Sequence, residues 1–528
     1  MKKLLFSLFF IAIISSAYAH NFKYNGINYT VLDEDAKTCK TSDKNPSLIK
    51  TTLWGDAVIP SVAKDGDTEY TVTAIGKGSF SMSEEVTSVT IPNTVTSIGD
   101  EAFGNCQQLI SIDIPESVTH IGKFAFWATG ITSIILPSSL TEISEGLLQS
   151  CYNLTSVIIP NSVKSIGDAA FTSCKGLSSI TIPDSVVSIG WCAFERCENL
   201  YSVSLGKSVS NVHVSAFSDC ENLCEINVVN DNPNFCSING IVYNKDATTL
   251  FKCGGGITSI KIPDSVNHIF ASAFSTCRKL TSINIPNSVI QIGDYAFDGC
   301  DSLTSIIIPS SVLQIGEGPF WLCDNLKNIE VAEENLNYCS INGILYNKEV
   351  TNLIQCGGAA TSAIIPESVT SINDYAFGGC NHLTSIIIPD LVTYIGYASF
   401  FDCTNLETIT IGKSVKTVRE YAFISSNLKN INVYASTPPK AESAFADFAA
   451  TLHVPEESID LYKSAPVWGK FNNIVGDIAS INSITVDSNL PTEVYDLNGT
   501  KVNESIENLR KGIYIVRQGN SIRKIAID

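Results

Sequence analysis

Apolar and polar residues alternate over short stretches of this chain, and most of these stretches end at a proline. In the segment 303–309, Ile306 and Ile308 are two residues apart, so they share one face of a strand. Ser305 and Ile307 then face the other way. The proline that follows has no backbone N–H and cannot continue the ladder. The pattern predicts a short strand with one buried face.

A second apolar segment follows each strand. Val312 and Ile315 supply buried positions, and Gly316 permits the turn behind them. Phe320 then brings a large apolar ring to the corner of the unit. We therefore expect each unit to contain two short strands and a tight turn, without a helix.

The same phrase recurs along most of the chain, with neighbouring copies 22 or 23 residues apart. A unit this short cannot enclose a core alone and must stack on its neighbours, with parallel pairing between successive strands. The prolines that close the first strand are Pro92, Pro115, Pro137, Pro160, Pro183, Pro263, Pro286, Pro309, Pro366 and Pro389. The corner phenylalanines are Phe80, Phe103, Phe126, Phe171, Phe194, Phe217, Phe274, Phe297, Phe320, Phe377, Phe400 and Phe423. The predicted fold class is a β-rich repeat solenoid of 23-residue units.

Two enlarged units, near 229–263 and 332–366, interrupt this period. They resemble each other, and each contains a Cys-Ser-Ile-Asn-Gly-Ile segment, at Cys236 and at Cys339. Alternating apolar residues on both sides of an Asn-Lys pair predict a hairpin in each. One interpretation is a projecting binding loop, and the other, which we favour, is a hairpin that widens the core.

The two ends of the array differ from the repeat. We expect a signal peptide at 1–19, an N-terminal cap at 20–70, the solenoid at 71–435 and a C-terminal cap at 436–477, because open solenoid ends expose apolar surface. Trp468 and Phe471 are predicted to cover the last unit. A small all-β domain is expected at 478–528. Its predicted strands are 492–499, 511–517 and 522–527, with a turn at 518–520.

The repeated phrase, over roughly residues 70–430, resembles the BspA-like leucine-rich repeat family. This resemblance implies a leucine-rich-repeat solenoid on a bacterial surface or secreted protein, associated with adhesion to host extracellular proteins and cells. The chain has Ile-x-Ile-Pro where the general consensus has Leu-x-Leu, which favours a strand-rich second side. The last 50 residues or so, with Val-Tyr-Asp-Leu-x-Gly and Lys-Gly-Ile-Tyr-Ile-Val, are similar to the sorting domain of the Por (type IX) secretion system. That similarity implies export across an outer membrane.

The N-terminus and the charge fit a protein that leaves the cell. Lys2 and Lys3 precede an apolar run that ends at an Ala-Tyr-Ala sequence, as in a secretory signal. We expect the mature chain to be secreted, on the cell surface or associated with the outer membrane, with no transmembrane segment. The net charge of -19 disfavours nucleic acid as a partner. The expected partner is an extracellular host protein or cell surface, and the oligomeric state stays open.

Seventeen cysteines would suggest disulfides in a secreted chain, but their spacing favours another role. Most recur at one place in the unit and predict a ladder of small buried side chains: Cys151, Cys174, Cys197, Cys220, Cys277, Cys300, Cys323, Cys380 and Cys403. The best candidates for disulfides are Cys236 with Cys253, and Cys339 with Cys356, because they bracket the two enlarged units identically.

The sequence gives no candidate catalytic, cofactor-binding or metal-binding residue. The six histidines form no His-x-His or His-x-x-x-His pair, and no phosphate-binding loop or Gly-x-Ser-x-Gly elbow occurs. We therefore expect a non-enzymatic protein without a cofactor, and keep a hydrolase with an unrecognised carboxylate pair as a remote alternative.

The outward side of the first strand is the candidate partner-binding face. Its residues are mostly small and polar, but some units carry isoleucine, and exposed apolar patches often mark contact sites. The candidates are Ile135, Ile158, Ile307, Ile365 and Ile387. The alternative is that β-branched residues merely suit strands. Adhesion to host protein is the leading hypothesis, and capture of glycans or peptides is the second. A glycan binder would need outward aromatic rings, and Tyr201 is the one identified on these strands.

Overall fold

The computed structural model describes residues 20–43, 55–478, 492–495, 501–502, 512–518 and 521–527. The chain forms two compact units, divided between Gly476 and Asp477. The signal peptide expected at 1–19 lies outside the described residues. Among those that are described, no helix has the length and apolar character needed to cross a bilayer.

One side of the first unit consists of the strands that end at the repeated proline, here called the long-strand face. Ile306 and Ile308 are buried, while Ser305 and Ile307 are exposed, as the alternation predicts. Neighbouring strands pair in parallel. The strands of this face are Gly55–Val58, Val86–Thr90, Ser111–Asp113, Ser133–Ile135, Ser156–Ile158, Ser179–Thr181, Ser202–Leu205, Glu225–Val228, Ser259–Lys261, Ser282–Asn284, Ser305–Ile308, Asn328–Val331, Ser385–Ile388, Thr408–Ile411, Asn430–Val433, Thr451–Pro455 and Asn473–Ile478.

The second apolar segments of the units form a further row of parallel-paired strands, divided among four sheets and here called the short-strand face. Most of its strands have two residues, and the second residue points inward. The strands are Thr68–Ile75, Ser97–Ile98, His120–Ile121, Glu142–Ile143, Ser165–Ile166, Ser188–Ile189, Asn211–Val212, Thr249–Lys252, His268–Ile269, Gln291–Ile292, Gln314–Ile315, Asn352–Gln355, Ser371–Ile372, Tyr394–Ile395, Thr417–Val418 and Lys440–Ala441. The expected β-solenoid of parallel strands, strand-rich on both sides, is thereby confirmed.

The third side, here called the turn side, contains no strand. Its coils bond to one another through the backbone: the N–H groups of Glu101, Phe103 and Asn105 donate to carbonyl oxygens of the next coil at 2.6–2.8 Å. Glu101 and Asn105 have φ of 53° and 57°, a left-handed conformation that recurs at the same places in most coils. The phenylalanine between them is buried and stacks on its equivalent in the next coil, with 5.6 Å between the Phe103 and Phe126 ring centroids.

Each enlarged unit adds an antiparallel hairpin, and the second strand of the hairpin also pairs with a third strand. The first set is Phe235–Ile238, Ile241–Asn244 and Thr249–Lys252, and the second is Tyr338–Ile341, Ile344–Asn347 and Asn352–Gln355. The third strand joins the short-strand face, where Leu250 pairs with Ile269. On the middle strand, Leu345 and Tyr346 point to opposite faces and are both fully buried. The hairpins therefore widen the core, and the apolar interior divides into three clusters that meet at them.

Additional elements flank the array. At the N-terminal end, Asn21–Tyr24, Ile27–Asp33, Thr38–Thr41 and Val62–Asp65 extend the sheet that contains Thr68–Ile75. At the other end, the 3-10 turn Glu456–Ser458, the helix Ile459–Ser464 and the 3-10 turn Trp468–Lys470 follow the strand Thr451–Pro455. Trp468 and Phe471 are buried against Phe445, the last ring of the phenylalanine stack.

The second unit is a four-stranded antiparallel sheet. Its strands are Thr492–Tyr495, Lys501–Val502, Gly512–Gln518 and Ser521–Ile527. The Thr492–Tyr495 strand lies between Lys501–Val502 and Gly512–Gln518, and Ser521–Ile527 is the outer strand beside Gly512–Gln518. The predicted small β region is present and includes Lys501–Val502, which the sequence pattern missed. The ends of two predicted strands, at 496–499 and at 511, and the turn residues 519–520 lie outside the described residues.

Candidate functional site

Two isoleucines form an exposed apolar pair on the long-strand face. Ile135 and Ile158 are 63% and 54% exposed, and their strands pair with these two residues directly opposite each other. Ile307 and Ile387 are also exposed, but they lie opposite Glu330 and Thr410, respectively. The face therefore presents Ile135 and Ile158 as a directly paired apolar spot, and further exposed apolar residues elsewhere on a largely polar surface.

The placement of Ile365 on this face is wrong. Ile365 is only 5% exposed, whereas Ile364 is 65% exposed. The residue directly before the repeated proline points inward, as Ile308 does, and the residue before that one points outward, as Ile307 does. The error lay in the count from the proline, which places Ile364 outward.

The ladder cysteines are buried, and most of their thiols donate to the main chain. The Sγ of Cys197 lies 3.2 Å from the carbonyl oxygen of Phe171, and that of Cys323 lies 3.0 Å from the carbonyl oxygen of Phe297. In both cases the acceptor is the corner phenylalanine of the preceding coil. In the coil that follows each enlarged unit, the thiol donates instead to Gly254 or Gly357, next to Cys253 or Cys356. A small side chain with one weak donor fills this buried corner and satisfies a carbonyl group.

The proposed disulfides do not form, and all seventeen cysteines are free thiols. Cys236 lies on the first strand of its hairpin, opposite Tyr243 of the middle strand, while Cys253 follows the third strand. Two strand spacings, about 10 Å, therefore separate them, which exceeds the span of roughly 7 Å that a disulfide can bridge. Cys339 and Cys356 have the same arrangement.

Burial also makes the Cys151 and Cys403 thiols poor nucleophiles. It raises the pKa of the Cys151 thiol to about 11 and that of Cys403 to about 12. The thiolate is the reactive form, so both side chains stay protonated at neutral pH. Within the described parts of the chain, no three His, Cys, Asp or Glu side chains converge as metal ligands would.

A cluster of charged side chains lies where the first enlarged unit meets the array, and the sequence did not reveal it. Lys252 is 3% exposed and donates to the carbonyl oxygen of Ser272 at 3.0 Å. Arg278 bridges Asp219 and Asp301, with N–O distances of 3.2 and 2.6 Å. Asp298 accepts a hydrogen bond from Ser275 at 3.1 Å. Its other carboxylate oxygen is buried without a partner among the described residues.

Asp298 should make stability depend on pH. Burial raises its pKa to about 6, although Ser275, Lys252 and Arg278 oppose the shift; Asp219 adds to it. Folding therefore favours the protonated acid, and that contribution is complete below about pH 4 and lost as the pH rises through 6. We expect Asp298→Asn to stabilise the protein by about 3 kcal/mol at pH 7.5 and hardly at all at pH 4. Urea denaturation at both pH values measures the difference.

The control for this effect is Asp264→Asn, at an exposed position on the same array. It should leave stability unchanged at either pH. An equal gain from Asp298→Asn at pH 4 and pH 7.5 would show that the carboxylate is not protonated on folding.

Six aromatic side chains form a continuous strip on the turn side, here called the aromatic strip. Its members are Tyr295, Trp321, Tyr375, Tyr397, Phe401 and Tyr421. Neighbouring ring centroids are 5.1–6.1 Å apart, and Tyr421 is 44% exposed while the others are half-buried. The alternation of the strands did not predict this surface, because its rings lie on the turn side, outside the strands.

The second enlarged unit brings the strip together. It contributes only a short segment to the turn side, where the Cys356 N–H donates to the carbonyl oxygen of Ala376 at 2.7 Å. Trp321 of the coil before it therefore contacts Tyr375 of the coil after it, with 5.1 Å between the ring centroids. Trp321 lies directly over Gly378, where a Cβ would come within 2.6 Å of the indole ring. Trp321 and Tyr375 are more than two repeat lengths apart in the sequence, so the 23-residue period does not predict their contact.

A family model described as the BspA type leucine-rich repeat region matches residues 73–175, 141–239, 247–356 and 352–455, well over half of the chain. Among solved structures, a leucine-rich cell surface protein from Faecalibacterium prausnitzii is 25% identical, with a TM-score of 0.43, over 78% of this chain and 94% of that protein. A leucine-rich repeat protein from Bacteroides ovatus is 27% identical, with a TM-score of 0.43, over 81% of this chain and 100% of that protein.

The pneumococcal vaccine antigen PcpA is 19% identical, with a TM-score of 0.43, over 87% of this chain and 99% of that antigen. A comparison with curated proteins found no match. The family match covers the regular coils and most of the two enlarged units, and it agrees with the stacked 23-residue coils described above. The chain belongs to the BspA-type leucine-rich repeat family.

Proposed function

We propose that this protein is a secreted or cell-surface binding protein that mediates adhesion to host extracellular proteins or cells. The observation that carries the proposal is the apolar pair Ile135 and Ile158, exposed side by side on a regular polar sheet. Ile134 and Ile159 point into the core of the same two coils, whereas Ile135 and Ile158 face solvent. An exposed apolar spot with a polar border is typical of a contact surface for another protein.

The same proposal includes the route out of the cell. A secretory signal at 1–19 and a sorting domain at 478–528, similar to those of the Por (type IX) system, would carry the chain across both membranes. The antiparallel sheet of the second unit supports this assignment of the C-terminal residues.

The concave surface found in the described part of the first unit does not favour a hydrolase. A small hollow of the C-terminal cap is lined mainly by apolar residues, among them Phe423, Phe445 and Phe471, and Asp447 is the one titratable group in its lining. Acid–base hydrolysis with two carboxylates needs a pair that face each other across the scissile bond. Binding, without a chemical step, is therefore the function that this geometry favours.

Binding of the purified protein to an array of host extracellular-matrix proteins and glycans tests the proposal. We expect saturable binding to at least one matrix protein. Ile135→Lys combined with Ile158→Lys should weaken that binding at least about tenfold, because it places two solvated charges at the centre of the contact. The thermal unfolding midpoint should not change, since both side chains are exposed.

The matched control is Thr181→Lys combined with Ser204→Lys. These residues also lie opposite each other on the long-strand face, and neither is apolar. Equal losses in both double variants would mean that charge anywhere on the face disturbs binding. Binding to glycans alone would contradict adhesion to protein and favour capture of nutrients.

A further inference from the structure

We propose that the aromatic strip is a docking site for a proline-rich segment in the polyproline II conformation, flanked by basic residues, on the extracellular partner. This inference rests on the proposed function, since it assigns part of the partner a chemical class and a place on the surface. It concerns the turn side, whereas the Ile135–Ile158 pair lies on the long-strand face.

The rings of the strip are held in alternating orientations. Consecutive pairs in the row Tyr295, Tyr375, Tyr397 and Tyr421 have ring centroids 5.3, 5.5 and 5.4 Å apart, with interplanar angles of 76°, 66° and 88°. Each ring is thus turned nearly edge-on to the next, which is a favourable aromatic contact. The exposed surface of such a row is uneven, with ridges and hollows, and is not flat.

Glycines beneath the strip fix this surface. Gly318 lies between Tyr295 and Tyr375, and a Cβ there would meet the Tyr295 ring at 3.0 Å and the Tyr375 ring at 3.4 Å. In the same way, Trp321 packs against Gly378 and Leu322 packs against Gly379. Rings that are already packed in place lose little conformational freedom when a ligand binds.

The strip presents hydrogen-bond donors beside its apolar surface. The hydroxyl groups of Tyr397 and Tyr421 have no hydrogen-bond partner in the described part of the chain. A polyproline II segment has carbonyl groups without internal hydrogen bonds, and its prolines have no N–H to offer. Such a segment needs donors from its binding surface, and tyrosine hydroxyls supply them.

The charges around the strip favour a basic ligand. Burial is the largest cause of the raised pKa of Tyr295, and Glu317 and Asp294 add to it. Burial also raises the pKa of Tyr397, with smaller contributions from Glu420 and Asp374, so all four carboxylates lie close to the rings. The nearby Arg419 interacts with Tyr394 and Asp374 and offsets only part of this charge. Acidic groups beside aromatic rings repel anionic ligands and attract lysine or arginine.

The spacing of the coils suits the repeat of the ligand. Alternate coils of a parallel β solenoid are about 10 Å apart. One turn of a polyproline II helix has three residues and rises about 9 Å. A segment that runs along the array can therefore place the same side of each turn against every second coil, as in other aromatic-lined sites for such peptides.

The test is the binding of a fluorescent oligoproline flanked by arginines to the full-length protein, measured by anisotropy. We expect saturable binding that weakens as the ionic strength rises. Tyr397→Ala combined with Tyr421→Ala should weaken binding at least about tenfold, and Tyr397→Phe combined with Tyr421→Phe should weaken it less, because the rings remain. Unchanged thermal unfolding midpoints would confirm that both double variants are folded.

Two controls make the result specific. Trp191→Ala combined with Tyr201→Ala removes two aromatic residues, 53% and 50% exposed, that lie outside the strip, and it should not affect peptide binding. A Gly-Ser peptide with the same arginines should not bind. Equal binding of that peptide, or no binding of the oligoproline, would overturn the inference. So would binding of a neutral oligosaccharide that competes with the oligoproline and is lost in the same tyrosine variants.

The outcome is separable from that of the proposed function. Ile135→Lys combined with Ile158→Lys leaves the strip intact and should retain oligoproline binding. Failure of the peptide experiment alone, with matrix binding still dependent on the two isoleucines, would reject only the strip as a site.

Discussion

Asn232→Ala should lower the free energy of unfolding by about 4 kcal/mol. Asn232 is fully buried, and each part of its side-chain amide has two partners. Its Nδ2 donates to the carbonyl oxygens of Gly206 and Val209, both at 2.9 Å. Its Oδ1 accepts from the backbone N–H groups of Asn234 and Phe235, at 2.8 and 2.9 Å. Alanine would leave four main-chain groups without these bonds where the enlarged unit joins the previous coil.

Chemical denaturation measures the loss, and Asn230→Ala is the control in the same loop. Asn230 is exposed, so its replacement should change stability by no more than about 0.5 kcal/mol. The equivalent Asn335 has four main-chain partners at the corresponding positions of the second enlarged unit, and Asn335→Ala should show a similar loss. A loss below about 1 kcal/mol at both positions would show that solvent replaces the amide.

Phe297→Ala should cost about 4 kcal/mol of stability. The Phe297 ring is fully buried between Phe274 and Phe320, with centroid distances of 5.0 and 5.4 Å. Its removal opens a cavity against both neighbouring coils. These coils cannot close the space, because their backbones are joined by hydrogen bonds on this side.

The chain supplies its own control for this position. Leu148 occupies the phenylalanine place of its coil, between the coils of Phe126 and Phe171, and it is fully buried. Phe297→Leu should therefore cost only about 1–2 kcal/mol. If leucine were as harmful as alanine, stacking of the rings, and not the filled volume, would be the larger contribution.

The period of the hydrophobic pattern was sufficient to predict the fold. Alternation before the repeated proline gave the inward residues of the long-strand face, and the corner phenylalanines are buried as expected. Ile365 was misplaced by one residue, which on a strand reverses the side chain. The same pattern, counted from Pro366, correctly places Ile364 outward.

Contacts between distant coils could not be predicted in this way. Asn232 and Asn335 did leave a signal, because both enlarged units contain Asn-x-Asn, an aromatic residue and Cys in that order. The aromatic strip left none, because Trp321 and Tyr375 meet only where most of the residues between them lie on the other two sides. The charged cluster around Arg278 and Asp219 arises in the same way at the first enlarged unit. In both cases the contacting residues are farther apart in the sequence than the 23-residue period from which the fold was predicted.

The free thiols of the cysteine ladder give most regular coils a built-in reporter of their own opening. A thiol that is fully buried and protonated reacts with a labelling reagent only after its coil has opened. The ladder is distributed from Cys151 to Cys403, across all three apolar clusters. The order in which these positions become labelled in the native protein is therefore a map of local stability along the array, obtained without introducing a single probe.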